Sequence, residues 1–437
     1  MNIMRYYKPI VAAFALLLTA FLASAQNNTA DVGFTPYSIF GIGDLARTGT
    51  TYNKSMGGIG IGDRNERYIN ILNPAAVTAR QGKSFMMDFG LDQNNVYYAA
   101  NPADGDILHS ANNTFTMNHI VMTFPIESHS AFKLGIAPYS NTGYSFKHHE
   151  NDDAILAEMG DIVYDQIGQG GLSQAFAGAG ATLFKRLSIG VDGQYYFGNI
   201  SRYTSAAFLT GTSYRSINSG WSYVLNGFGA KFGLQYEQPL KNDYKLVLGA
   251  TYSLGTSLKG EVKRYAYGVL SAVDTIVNNT TALEAVPVPE EIGVGLTFKK
   301  NEKWTVGFDY VQQDWTGSFS DDAPGTGFSA TKRQAYRTGF EYTPDWYDSR
   351  YYRNHITYRA GCYHEQCYYA MNGNKIDAMG ITFGASFPVF RYYNSVNVGV
   401  DLGQRGSTAN GAVRERYFLI TVSFALHDIW FLKPMYD

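Results

Sequence analysis

The stretch Glu290 to Gln312, EEIGVGLTFKKNEKWTVGFDYVQ, limits the folds open to this chain more than any other. Ile292, Val294, Leu296 and Phe298 alternate with Glu291, Gly293, Gly295 and Thr297. That is the two-residue period of a strand with one apolar face and one polar or small face. After the turn Lys299 to Lys303 the pattern resumes, with Trp304, Val306, Phe308 and Tyr310 on one face and Thr305, Gly307 and Asp309 on the other. A face carrying Glu, Asp and several glycines does not pack into a dry protein core. One side of the hairpin therefore meets an apolar surrounding and the other a wet interior, which is how a transmembrane β-barrel reads.

The start of the chain predicts export. Arg5 and Lys8 precede the apolar run Ile10 to Leu22, and Ala23-Ser24-Ala25 makes a small-residue cleavage site, so residues 1–25 read as a signal peptide and the mature chain is expected to start at Gln26. Gln26 is not a cysteine, so lipid anchoring there is not indicated. Nothing beyond Ala25 offers the ~18 consecutive apolar residues of a membrane helix. A chain that is exported and spans a bilayer without helices does so as a closed barrel, and the expected location is the outer membrane. The 35 basic residues against 37 acidic ones fall to a mature net charge of −4 once Arg5 and Lys8 are removed, which gives no reason to invoke nucleic acid.

From Ser84 onward fourteen strands can be laid down, joined by alternately short and long connections. Short periplasmic turns and long extracellular loops are the asymmetry of outer-membrane barrels, and an even strand count places both ends in the periplasm. The sequence thus predicts an all-β transmembrane antiparallel barrel over residues 84–430, a short C-terminal tail over 431–437, and long polar loops at Ile200 to Ser219 and Leu258 to Pro289. Asp88, Asp92, Asp192, Glu291, Asp309, Arg337 and Glu341 fall on the inward parity of their strands. There they read as a lumen charge network rather than a proton path. Trp221, Tyr223, Trp304, Trp315, Trp346, Tyr347, Tyr392, Tyr393 and Trp430 lie near strand ends, where interfacial aromatic girdles form.

Residues 26–83 do not alternate. They run through SMGGIGIGD and YINILNPAAVTARQG, with clustered glycines and a helix-compatible Ala76 to Arg80, and read as a plug lying in the lumen. Gly58, Gly60 and Gly62 imitate a dinucleotide-binding loop, but no buried strand precedes them.

These residues carry a family resemblance. SMGGIGIGD followed by Asn73-Pro74-Ala75-Ala76 resembles the N-terminal hatch of FadL-type outer-membrane transporters. APYS through Gly143-Tyr144, GQGGLSQAFAGAGATLFKRLSIGVDGQYYFG, PEEIGVGLTF, YRAGCYHE and GQRGS are similar to a FadL-like branch found with type IX secretion. The resemblance implies a monomeric barrel that passes hydrophobic compounds such as long-chain fatty acids by diffusion, with Met56, Gly57, Gly58, Asn73, Pro74 and Ala75 as hatch residues. It also implies a second reading, since members of that branch act as protein-binding shuttles or accessory subunits in secretion and assembly complexes. An apolar groove leading to the hatch favours transport, and a lumen filled with charged side chains favours the accessory role. Expected partners are outer-membrane lipids and either a hydrophobic ligand or outer-membrane proteins.

No catalytic site, metal site or cofactor is expected. His148-His149-Glu150 lacks further ligands at metal spacing, Gly384 to Pro388 lacks the second glycine of a nucleophile elbow, and neither HExxH nor a P-loop occurs. Cys362 and Cys367 either pair across a hairpin or stand alone.

Overall fold

In the computed structural model, residues 34–80, 84–101, 107–127, 129–209, 215–269, 273–301, 303–319, 327–348, 350–389, 394–409 and 412–429 are described. The expected signal peptide, the C-terminal tail and the girdle candidates Tyr392, Tyr393 and Trp430 lie outside them.

The barrel strands are β1 (Ser84–Ala100), β2 (Leu108–Glu127), β3 (Ser130–His149), β4 (Ile162–Leu183), β5 (Leu187–Phe208) and β6 (Ser216–Pro239). β7 comprises Tyr244–Ser253 and Thr256–Val269, and β8 comprises Val273–Val288 and Glu291–Lys300. They are followed by β9 (Trp304–Asp314), β10 (Phe328–Ala330 with Lys332–Tyr342), β11 (Thr357–Met371), β12 (Asn374–Pro388), β13 (Ser395–Arg405) and β14 (Val413–Ile429). Each pairs antiparallel with its neighbours, and β14 pairs with β1 from Val413↔Ala100 to Ile429↔Ser84, which closes the sheet. The result is the expected fourteen-stranded antiparallel barrel.

The alternation read from the sequence divides lumen from lipid. On β5, Ser188 and Asp192 are 1% and 3% exposed, whereas Ile189 and Val191 are 41% and 43% exposed. Side chains on successive strand residues point to opposite faces, so parity alone decides which solvent each one meets. The opening hairpin obeys the same rule: Ile292, Val294, Leu296 and Phe308 face outward and Thr297 and Asp309 inward.

Two expectations are corrected. The predicted long loops are mostly paired strand: residues 200–208 continue β5, residues 216–219 open β6, and Thr256–Val269 pairs with Val273–Val288. Beyond the bilayer both faces of a hairpin meet water, so the alternation disappears while the backbone ladder continues. Several aromatics also differ. Trp304 packs edge-on against Tyr244 and Phe298, which stack on each other at 5.3 Å. Trp315, Trp346 and Tyr223 turn inward instead: Trp315 is fully buried, Arg67 lies 4.1 Å over the Trp346 ring, and Tyr223 packs on the inner apolar cluster.

Residues 34–80 thread the interior. The 3-10 helix Pro36–Ile39 and the two-residue strand Asp44–Leu45 lie against β3, the short helix Thr51–Lys54 against β13, and the 3-10 helix Pro74–Thr78 against β4, β5 and β6. Helix formation therefore begins at Pro74 rather than Ala76, because the Asn73 side chain accepts the Ala75 N–H at 3.0 Å and caps it.

Candidate functional site

The site is the contact between this inner segment and the barrel wall. Its first component is backbone packing. Gly190 and Gly233 pair directly, and a Cβ on either would overlap the Asn73-Pro74 backbone or side chains. Gly249 pairs with Gly295 under the Ile61-Gly62 peptide, and Gly339 pairs with Gly361 under Met56 and Gly57. Gly384, paired with Gly399, leaves room for Ser55. Glycine on the inward parity lets the segment approach to backbone contact, which a larger side chain prevents.

Hydrogen bonds fix that seat. Asp309 Oδ2 accepts the N–H groups of Gly60 and Ile61 at 2.7 and 2.8 Å. Thr382 Oγ1 accepts the Gly57 N–H at 2.7 Å. Asn73 Nδ2 donates to the Ile61 carbonyl at 2.8 Å and to Leu234 O on the wall at 3.2 Å, and Gln235 Nε2 donates to the carbonyls of Ile61 and Asp63. Of the expected hatch residues, Met56, Asn73 and Ala75 are wholly buried, and Arg337 covers Gly58, donating to its carbonyl at 3.3 Å.

The inward charges divide into two groups. Asp92, Asp309, Arg337 and Glu341 touch the segment: Asp92 binds Lys54 at 2.8 Å, and Asn65 donates to Glu341 at 3.2 Å. Asp88, Asp192 and Glu291 bind wall residues instead. Their partners are His119 at 3.3 Å, Lys133 at 2.9 Å, and both Lys231 and Arg333 at 3.4 Å. Sequence reading missed the partners that complete these pairs, among them Arg359, which binds Glu341 at 2.8 Å and stacks its guanidinium over Tyr52 and Tyr68 at 4.6 and 4.5 Å. Arg47 pairs with Asp401, and Arg405 binds both Asp44 and Glu415. All the wall members of these pairs stand on inward parity, which was the signal available. Within the segment, burial raises the Asp63 carboxyl against the pull of Lys299 and lowers the Arg64 guanidinium against that of Glu237.

The apolar part of the lumen is filled by the segment itself. Tyr37, Phe40 and Ile42, none more than 3% exposed, pack with Leu172, Ile200, Trp315 and Tyr368 in one cluster. A cavity of about 170 Å³ beside it is lined by ion-paired residues including Arg47, Asp92, Arg405 and Glu415. An apolar concavity of about 830 Å³ lies on the outer face instead, bounded by Ile189, Val191, Phe232 and Leu234, with Gly190 and Gly233 in its floor.

A family model for BamG matches residues 7–437. The chain belongs to the BamG family. A search of curated proteins finds no match. Among solved structures, this BamG-family barrel is similar to the toluene transporter TodX of Pseudomonas putida, with TM-score 0.53, 16% identity, and coverage of 90% of this chain and 100% of that one. It is also similar to a Pseudomonas aeruginosa FadL homologue (TM-score 0.56, 11% identity, 89% and 100% covered) and to the Ralstonia pickettii toluene transporter TbuX (TM-score 0.55, 14% identity, 86% and 97% covered). At these identities the likeness shows a shared FadL-type barrel fold.

Cys362 faces outward, Cys367 is buried, and they do not bond to each other. His149 ends β3 and meets Asp161 at 3.1 Å, while Tyr164 donates to Glu150; among the described residues no cluster of three or more potential ligands surrounds them.

Proposed function

We propose that this BamG-family protein is a non-conducting outer-membrane barrel that serves as an accessory subunit of a secretion or assembly complex. The observation that carries this reading is the occupied lumen. The inner segment sits on paired glycines at backbone distance, and Tyr37, Phe40 and Ile42 fill the apolar volume that a hydrophobic solute would need. Ion-paired residues line the cavity beside that cluster, and an apolar molecule gains nothing by entering a charged space. Its partners on this reading are outer-membrane lipids and outer-membrane proteins held on its wall or extended hairpins.

The outer concavity favours a second reading, a channel for hydrophobic compounds with Asn73, Pro74 and Ala75 as a gate. Pro74 rests on the inner side of Gly190 and Gly233, and an apolar depression lies directly outside the same two residues. The structural neighbours that are hydrocarbon channels and toluene transporters support the same idea by fold alone.

Purification from native membranes in mild detergent, with mass spectrometry of co-purifying proteins and extracted lipids, separates the two. The accessory reading expects stoichiometric partner proteins, no enriched hydrophobic ligand, and no conductance in planar bilayers. A monomer carrying fatty acids or arenes would sink it in favour of the channel.

A further inference from the structure

Arg80 ends the Asn73-to-Arg80 stretch of the inner segment. Its side chain is only 8% exposed, yet among the described residues Nε, Nη1 and Nη2 all lack a hydrogen-bond partner. A buried guanidinium with no acceptor is costly, and buried cations are ordinarily paired. Burial brings the Arg80 pKa down to about 10.

The space it lines explains the exception. A cavity of about 100 Å³ opens at the short-turn end of the lumen between the inner segment and the wall, and Arg64, Arg80, Lys185, Arg186 and Lys299 line it against Glu66 and Glu237. Five cations thus face two carboxylates, and one of these is already engaged: Glu237 binds Lys245 at 3.0 Å and meets Arg64 at 3.7 Å. Arg64 Nη1 already donates to Ser188 and Thr78, and Lys299 donates to the Arg64 carbonyl. Arg80 and the exposed Lys185 retain their donors for something else. At about 30 Å³ per water, the cavity has room for one tetrahedral oxyanion with a water or two.

We propose that this cavity is an anion site that takes a phosphate-type oxyanion, with Arg80 as its buried anchor and Lys185 and Arg186 at its mouth. A planar guanidinium offers the bidentate fork that phosphate oxygens accept. Short-turn placement puts the mouth near the headgroups of the inner leaflet, so the oxyanion comes either from a phospholipid or from free phosphate. The site is independent of whether the lumen conducts.

The test uses the full chain in a phosphate-free maltoside detergent at fixed ionic strength, titrated with inorganic phosphate against chloride. Wild type is expected to bind phosphate saturably and to unfold at a higher temperature in its presence. Arg80→Met is expected to bind about tenfold more weakly or worse, and Lys185→Gln with Arg186→Gln, on an exposed turn, to weaken binding by a smaller factor. Without phosphate, Arg80→Met should be at least as stable as wild type, since it removes an unpaired buried charge. Native mass spectrometry assigns the source: one phospholipid retained per wild-type barrel and lost in Arg80→Met indicates a headgroup, and no retained lipid with intact phosphate binding indicates the free ion. Equal responses to phosphate in wild type and Arg80→Met, or a large loss of stability of Arg80→Met in phosphate-free detergent, would overturn the proposal.

Discussion

Gly62 of the inner segment and Gly295 of β8 face each other backbone to backbone: a Cβ on Gly62 would stand 2.9 Å from the Gly295 carbonyl carbon, and one on Gly295 2.6 Å from the Gly62 nitrogen. Neither neighbour is the flexible end of a side chain, so neither gives way cheaply. Gly295→Val is therefore expected to destabilise the protein by about 1–3 kcal/mol through overpacking. Limited proteolysis should show residues 34–80 more accessible in the variant. Unchanged stability and unchanged protection would mean that the seat is looser than this geometry requires.

Asp309 holds the adjoining peptide by accepting two N–H groups with one carboxylate oxygen. Asp309→Asn keeps the size but loses the charge, and hydrogen bonds to charged groups contribute roughly 1.5–3 kcal/mol. A loss of that order in denaturant unfolding is the expected result, and Asp309→Ala should lose more.

Arg359 and Glu341 form a buried pair in which Arg359 also donates to Ser386 at 2.7 Å. Removing one partner strands the other, at about 3–5 kcal/mol. Arg359→Met should therefore be severe, and Glu341→Gln added to it should restore part of the loss. Strictly additive single and double variants would show that the two charges do not depend on each other.

Cys362 and Cys367 stand on opposite faces of β11. Alkylation in denaturant without reductant should label both thiols in protein isolated from the membrane. A protected pair would mean a disulfide forms and that the β11 register differs from Cys362↔Ile381 on β12.

Much of the fold was legible because the bilayer is a strong filter on sequence. Parity along each strand reports which face meets lipid, and the apolar set Ile189, Val191, Val294 and Phe308 could face only outward. The same parity marks Trp315 as inward, since it follows the outward row from Trp304 to Tyr310 by an odd step, but proximity to a strand end suggested a girdle. Where the wall leaves the bilayer the filter ends, so the paired strands of 200–208 and 256–269 read as loops.

The amino-acid sequence by itself determined the fourteen strands within the bilayer, the side of the wall that their alternating residues face, and the presence of a non-alternating segment with an Asn-Pro-Ala turn. These are local properties, set by period and solvent. Only the tertiary structure decided which inward charges meet, that Tyr37, Phe40 and Ile42 fill the apolar lumen, and that the Arg80 guanidinium finds no hydrogen-bond acceptor among the described residues. Arg47 and Asp401 are 354 positions apart, and their meeting depends on barrel stagger and on the path of the segment through it. No short window of sequence contains either quantity.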